Sequence, residues 1–231
     1  MKAELTGRHV VVTGGTGGLG PAVVAALIEA GATCHLPHRG AAPPADAPGG
    51  ARINLIAGVD LTSEEAVTRL YAGLPGLWAS VHVAGGYAAA PVDRTTLADF
   101  RAQVDLNLTT CFLSCREAVR RLRAGGGGGR IVNVGARAAL EPRGGSLAYT
   151  VAKAGVVALT RGLADEVKDD RILVNVVIPS TIDTPANRRA MPNADFDRWP
   201  KPAELAMVIA WLCGPDNTLA SGAAIPVYGG A

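Results

Sequence analysis

The sequence predicts an α/β protein, a single doubly wound parallel sheet of about seven strands with helices on both faces. Three observations carry that expectation. Short apolar runs alternate with helical stretches from end to end. The first run, His9–Thr13, gives way to a glycine cluster that opens a helix. No internal repeat or linker divides the 231 residues, a length that buries one large core, so one domain over 1–231 is expected.

Each element has its own signal. HVVVTG (9–14) is a strand rich in β-branched residues. Residues 18–30 read as a helix, with Leu19, Val23, Ala26, Leu27 and Ala30 at helical spacing and Gly31 as the stop. ATCHLPH is the second strand, followed by an Ala/Pro/Gly loop at 40–51. RINLIAGVD is the third strand, 63–73 the next helix, and LWASVHVAGG the fourth strand ending in a turn. A long helix is predicted over 95–124, closed by Gly125–Gly129, which reads as a flexible surface loop. RIVNVGA is the fifth strand, 146–169 a second long helix, RILVNVVIPS the sixth strand, 202–213 a helix and GAAIPVYGG the last strand.

Composition narrows the function classes. Hydrophobic residues make up 48% and charged residues 18%, a globular balance far from disorder. Net charge is +2 and no basic stripe appears, which argues against a nucleic-acid partner. The N-terminus runs directly into a strand, and no apolar run of ~18 residues exists, so no membrane is expected and the location predicted is cytoplasmic. Cys34, Cys111, Cys115 and Cys213 lack both zinc-site spacing and disulfide density. Cys111 and Cys115 share a helix face, but buried or interface thiols are the reading and no metal site is expected.

The chemistry begins at Val11-Val12-Thr13-Gly14-Gly15-Thr16-Gly17-Gly18-Leu19-Gly20. Glycines let a backbone turn tightly and approach a pyrophosphate, and a helix N-terminus offers that anion unpaired N–H groups and partial positive charge. Tyr149 and Lys153 lie one helical turn apart on one face. A free phenol has a pKa of ~10, and a neighbouring ammonium or a cationic nicotinamide favours the phenolate. Tyr149 then serves as general acid in a reduction or as base in the reverse.

These motifs, with their T-G-x-x-x-G-x-G and Y-x-x-x-K spacing, resemble the short-chain dehydrogenase/reductase family over essentially the whole chain. The resemblance implies a Rossmann-type domain binding NADP or NAD, with Gly14, Thr16, Gly17, Gly18, Leu19 and Gly20 at the pyrophosphate. It places Asp60 and Leu61 at the adenine. Ala84, Gly85 and Gly86 form the turn that is usually N-A-G, with Val83 in place of Asn. Asn107 matches the helix asparagine that anchors a proton-relaying water beside Lys153, which also holds the ribose. Pro179, Ile182 and Thr184 fall in the segment over the nicotinamide, with Ser180 where glycine is usual.

One position departs from the family. Its catalytic serine is replaced by Ala136, which has no polar side chain, and loss of one such donor typically costs ~10²–10³ in rate. Either Ser146 or Ser180 substitutes, or the substrate does not need the bond, or catalysis is lost and the chain is a nucleotide-binding scaffold of the same fold. Arg137 should point to the opposite face of the strand. The turn Val83–Gly86, the stretch 135–140 and the segment 178–199 resemble the dihydropteridine reductase-like branch of the family. That branch implies a planar quinonoid dihydropterin, in which charge spreads over a ring that gains aromaticity. A ketone, quinone or imine of secondary metabolism is the alternative substrate.

Arg39, after the second strand, favours the 2′-phosphate of NADPH, since no acid stands there for a 2′-hydroxyl. The loop 184–202 is read as a lid in which Phe196 and Trp199 either stack on a planar ring or anchor the loop. The long helices carry many small residues, and in the family such helices pair, so a homodimer or homotetramer acting on a small-molecule substrate is expected.

Overall fold

The computed structural model describes residues 4–230, so the outermost ends of the expected domain, 1–3 and 231, lie outside the described residues. Seven strands form one sheet: β1 (His9–Thr13), β2 (Thr33–Pro37), β3 (Ile53–Ile56), β4 (Ala79–His82), β5 (Gly129–Val134), β6 (Ile172–Pro179) and β7 (Ala224–Val227). Their order is β3-β2-β1-β4-β5-β6-β7, and every pairing is parallel. Seven α-helices connect them: α1 (Gly20–Glu29), α2 (Glu64–Ala72), α3 (Leu97–Val104), α4 (Thr110–Gly125), α5 (Leu147–Glu166), α6 (Pro185–Ala190) and α7 (Pro202–Cys213).

The strands are apolar almost throughout because both faces are covered. Val10 and Val12 of β1 pack with Val23 and Leu27 of α1 and Leu205 and Ile209 of α7. Val11 points the other way, into a second cluster with Tyr71 of α2, Leu113 and Val119 of α4 and Val156 of α5. The expected α/β architecture is therefore the observed one. Among the described residues no helix is long and apolar enough to cross a membrane.

Several element boundaries differ from the sequence reading. Helix α1 starts at Gly20, not 18, because the glycine turn continues to Leu19 at the N-cap. Strand β3 ends at Ile56, and Gly58, at φ +70°, turns the chain, so Asp60 lies beyond the strand rather than at its end. The helix expected over 95–124 begins at a Thr96–Asp99 capping box and is interrupted by a π-turn at Asp105–Thr109. The run Gly125–Gly129 is not loop throughout: Gly125, Gly126 and Gly127 are exposed, but Gly125 still belongs to α4, and Gly128 and Gly129 are buried. Gly126 ends α4 at φ +65°, and Gly129 opens β5 where Leu122 leaves no room for a Cβ. The lid expected over 184–202 is ordered into α6 and a 3₁₀ turn at Phe196–Arg198.

Candidate active site

The chain leaves β1 toward β2 and leaves β4 toward β5, so the carboxyl ends of these adjacent strands border a crevice at the switch point. Gly14, at φ +69°, closes the turn after β1. A Cβ there would lie 2.6 Å from the Ala84 nitrogen, so this turn presses directly on the turn after β4. Gly17 N donates to Gly14 O at 2.9 Å and Gly20 N to Gly17 O at 3.1 Å. No side chain caps α1. Gly20 N is bonded to Gly17 O, Pro21 has no N–H and Val23 N donates to Leu19 O at 3.3 Å, so Ala22 N is the first-turn amide left to an anion, with the helix dipole behind it. Gly17 and Gly18 are exposed and Thr16 is half-buried, whereas Leu19 is buried in the core and presents only backbone to the turn. A Cβ on Gly18 would meet Thr184 Cγ2 at 3.3 Å, so the segment after β6 faces the same turn.

Helix α5 presents Tyr149 and Lys153. The Lys153 ammonium is buried, donates to Val134 O at 2.9 Å, and stands 5.9 Å from the centroid of the Tyr149 ring. The π-turn carries Asn107 to the same place. Its Oδ1 accepts from Gly86 N at 3.1 Å, and its Nδ2 donates to Gly86 O and to Gln103 O, each at 3.0 Å. A Cβ on Gly85 would lie 2.6 Å from Asn107 Oδ1 and 3.3 Å from Lys153 Nζ. Tyr149, Lys153, Asn107 and the Ala84-Gly85-Gly86 turn therefore form one cluster.

Burial lowers Lys153 to about 8, opposed by the Coulombic attraction of negative charge on Cys111. Tyr149 shifts opposite to the sequence expectation. Burial first, and Tyr87 second, push it up to about 12. The ammonium is bonded to a backbone carbonyl rather than to the phenol, so desolvation dominates in the protein by itself.

At the outer end of the crevice Arg39 pairs with Asp60 at 3.2 Å, both exposed. Asp60 also accepts from Thr62 N at 3.0 Å and Thr62 Oγ1 at 2.8 Å, and these bonds, more than Arg39, hold it below the usual carboxylate range. Leu61 packs against the second core cluster. Pro179 ends β6, Ile182 packs on the first cluster, and Thr184 Oγ1 accepts from Asn187 N at 3.2 Å to cap α6.

The candidate substrate residues separate. Ala136 is buried in extended backbone just past β5. Ser180 is not a free donor, because its hydroxyl donates to Tyr228 O at 2.7 Å. Arg137 donates to Glu141 at 2.8 Å and lies 4.7 Å over the Tyr228 ring. Ser146 stands at the α5 N-cap, half-buried, without a capping bond. Trp199 is buried and anchors the segment, with Phe196 tilted against it at 5.0 Å and Arg188 4.7 Å above Phe196.

Two features went unseen in the sequence. Tyr87 stands at the mouth of the cluster, 67% exposed and in ring contact with Tyr149. Its one signal was an aromatic immediately after Gly85-Gly86. Asp183 is clamped by both Arg188 nitrogens, at 2.5 and 2.8 Å, and by Lys201 Nζ at 2.8 Å, fastening both ends of the lid.

Known proteins resemble this chain in sequence and fold. The sequence profile described as short chain dehydrogenase matches residues 8–195. The 3-oxoacyl-[acyl-carrier-protein] reductase MabA of Mycobacterium tuberculosis is 31% identical, over 99% of this chain and 94% of its own. A 2,5-dichloro-2,5-cyclohexadiene-1,4-diol dehydrogenase of Sphingobium indicum is 29% identical over 99% and 98%. The crystal structure of a dehydrogenase/reductase from Sinorhizobium meliloti 1021 superposes with a TM-score of 0.86 at 31% identity, covering 99% of this chain and 96% of that one.

Proposed function

This chain belongs to the short chain dehydrogenase family and is an oxidoreductase, and we propose that it reduces a planar quinonoid, imine or carbonyl substrate with a nicotinamide dinucleotide. The crevice fits that group, with an uncapped helix N-terminus beside exposed glycines. When bound, the dinucleotide supplies the hydride. Gly14–Gly20 would hold its pyrophosphate, Asp60 and Leu61 its adenine, Arg39 the 2′-phosphate of NADPH, and Ala84–Gly86, Pro179, Ile182 and Thr184 its nicotinamide half. Lys153 would hold the ribose.

Tyr149 gives the accompanying proton to the substrate heteroatom. A phenol raised to about 12 is fully protonated at neutral pH, the correct starting state for a reduction. In the oxidative direction the same group must lose that proton, which its burial opposes. Lys153 supplies positive charge as the phenolate forms, and Asn107 fixes the Gly85-Gly86 turn against both.

The observation that carries the substrate class is that Ala136, at the position just past β5, offers no side-chain donor. Ser180 is committed to Tyr228. A ketone concentrates charge on one oxygen and needs that donor, whereas a quinonoid ring disperses it. This supports the dihydropteridine reductase-like branch, with a quinonoid dihydropterin as the probe. Ser146 favours a second reading, a ketone reductase that draws its second donor from the α5 N-cap.

Oxidation of NADPH and NADH is measured against a quinonoid dihydropterin, a quinone and a ketone. The quinonoid reading expects the first two to turn over, with Ser146→Ala without effect. Turnover of the ketone alone, lost in Ser146→Ala, selects the second reading. Tight dinucleotide binding with no turnover on any of them supports the scaffold. We further propose that the chain works as a homodimer or homotetramer, since Phe112 of α4 and Leu147 and Val151 of α5 leave apolar surface exposed.

A further inference from the structure

We propose that His82, Cys111 and Cys115 form a buried site for one thiophilic closed-shell cation, with zinc the natural occupant. Their ligand atoms all lie within 4.8 Å of one another, and all three side chains are buried. β4 supplies the imidazole, and consecutive turns of α4 supply the two sulfurs.

The spacing suits a metal. Zinc–sulfur bonds of about 2.3 Å and zinc–nitrogen or –oxygen bonds of about 2.0–2.2 Å in a tetrahedron place neighbouring donors roughly 3.5 Å apart. Cys115 Sγ lies 3.4 Å from His82 Nδ1. Asn133 Oδ1 faces all three groups, 3.3 Å from Cys111 Sγ, 3.5 Å from Cys115 Sγ and 2.7 Å from His82 Nδ1. The last is a hydrogen bond, which must lengthen toward about 3.5 Å when the two groups share a cation. It serves as fourth donor or gives way to a water.

Outer partners hold the set in place. The other imidazole nitrogen, Nε2, lies 2.8 Å from Ser80 Oγ, which in turn lies 2.7 Å from the Tyr71 hydroxyl. Asn133 Nδ2 donates to Thr160 Oγ1 at 2.8 Å, which aims its oxygen at the cluster. Metal-binding histidines are ordinarily oriented through the second ring nitrogen in this way.

Proton balance is simple. Without metal, the thiols and the His82 Nδ1–H satisfy Asn133 Oδ1. With metal, both thiol protons leave, the imidazole proton moves to Nε2, and the Ser80–Tyr71 hydroxyls reverse to accept it. Two thiolates then neutralise one divalent cation, so the dry interior holds no net charge. Asn133 precedes Val134, whose carbonyl holds Lys153, so the site lies directly behind the catalytic cluster. The sequence reading expected no metal, because the four cysteines lack the paired spacing of a zinc site.

The test uses the full chain, unfolded under reducing conditions, stripped of metal and refolded with or without cobalt(II), because a buried site loads during folding. About one cobalt per chain, with a sulfur-to-cobalt charge-transfer band and a raised Tm, is expected. The band should vanish in Cys111→Ser and Cys115→Ser and persist in Cys34→Ser, whose thiol lies in the other core cluster. Wild-type protein that refolds with cobalt present but shows no such band overturns the proposal, whatever the variants do. So does a band that survives both substitutions.

Discussion

Tyr87 meets Tyr149 edge-on, with ring centroids 5.0 Å apart and planes at 83°. The exposed ring thus stands beside the proposed proton donor, where a planar substrate would be received. Aromatic contacts of this kind are worth about 0.5–1.5 kcal/mol, up to roughly tenfold in an equilibrium constant. Tyr87→Leu should therefore raise KM for a quinonoid substrate by up to about tenfold, and change kcat less. Steady-state kinetics checks this, and an unchanged KM removes Tyr87 from the substrate's path.

The proposed preference for NADPH rests on Arg39. Its partner is Asp60 at 3.2 Å, so Arg39→Asp removes a cation and sets two carboxylates against each other. KM for NADPH should rise at least about tenfold, the scale of one lost charge-assisted contact, while KM for NADH changes little. An unmodified enzyme that prefers NADH would end the NADPH assignment.

Lys153 carries a pH signature. Burial lowers it from 10.5 to about 8, so between those values the unfolded chain binds the proton and the folded chain does not. Stability from this group therefore rises as pH increases from about 8 to 10.5. Tm measured across that range, relative to Lys153→Met, should climb. A falling difference would mean that the folded protein holds the ammonium more firmly than water does.

Gly85→Ala should disturb the cluster sterically, because its Cβ would meet Asn107 Oδ1 at 2.6 Å. Overpacking of this kind costs about 1–3 kcal/mol. Thermal unfolding should show a clear loss, with activity reduced further. Gly17→Ala, whose Cβ would have 3.4 Å to Gly14 O, should leave Tm nearly unchanged.

Much of the site was legible because its signals are local. The strand–glycine–helix junction at 9–20 and the pair Tyr149 and Lys153 each lie within a few residues, and their periodicities announce the elements that carry them. The Asp183–Arg188–Lys201 clamp and the His82–Cys111–Cys115 cluster join residues brought together only by the sheet order. The acidity of Tyr149 was misjudged for a related reason. Spacing reveals a neighbouring ammonium, but not that the phenol is buried or that the ammonium is bonded to Val134. The Gly125–Gly129 run shows a third kind of gap, since its composition reads as flexible while Gly129 sits packed beneath Leu122.

The central claim is that Tyr149 delivers the proton of a nicotinamide-dependent reduction. Its most direct test is single-turnover oxidation of NADPH by Tyr149→Phe, with dinucleotide affinity measured on the same protein. The account predicts a rate loss of about 10²–10⁴ with affinity almost unchanged. A variant that turns over within a few-fold of wild type would contradict it.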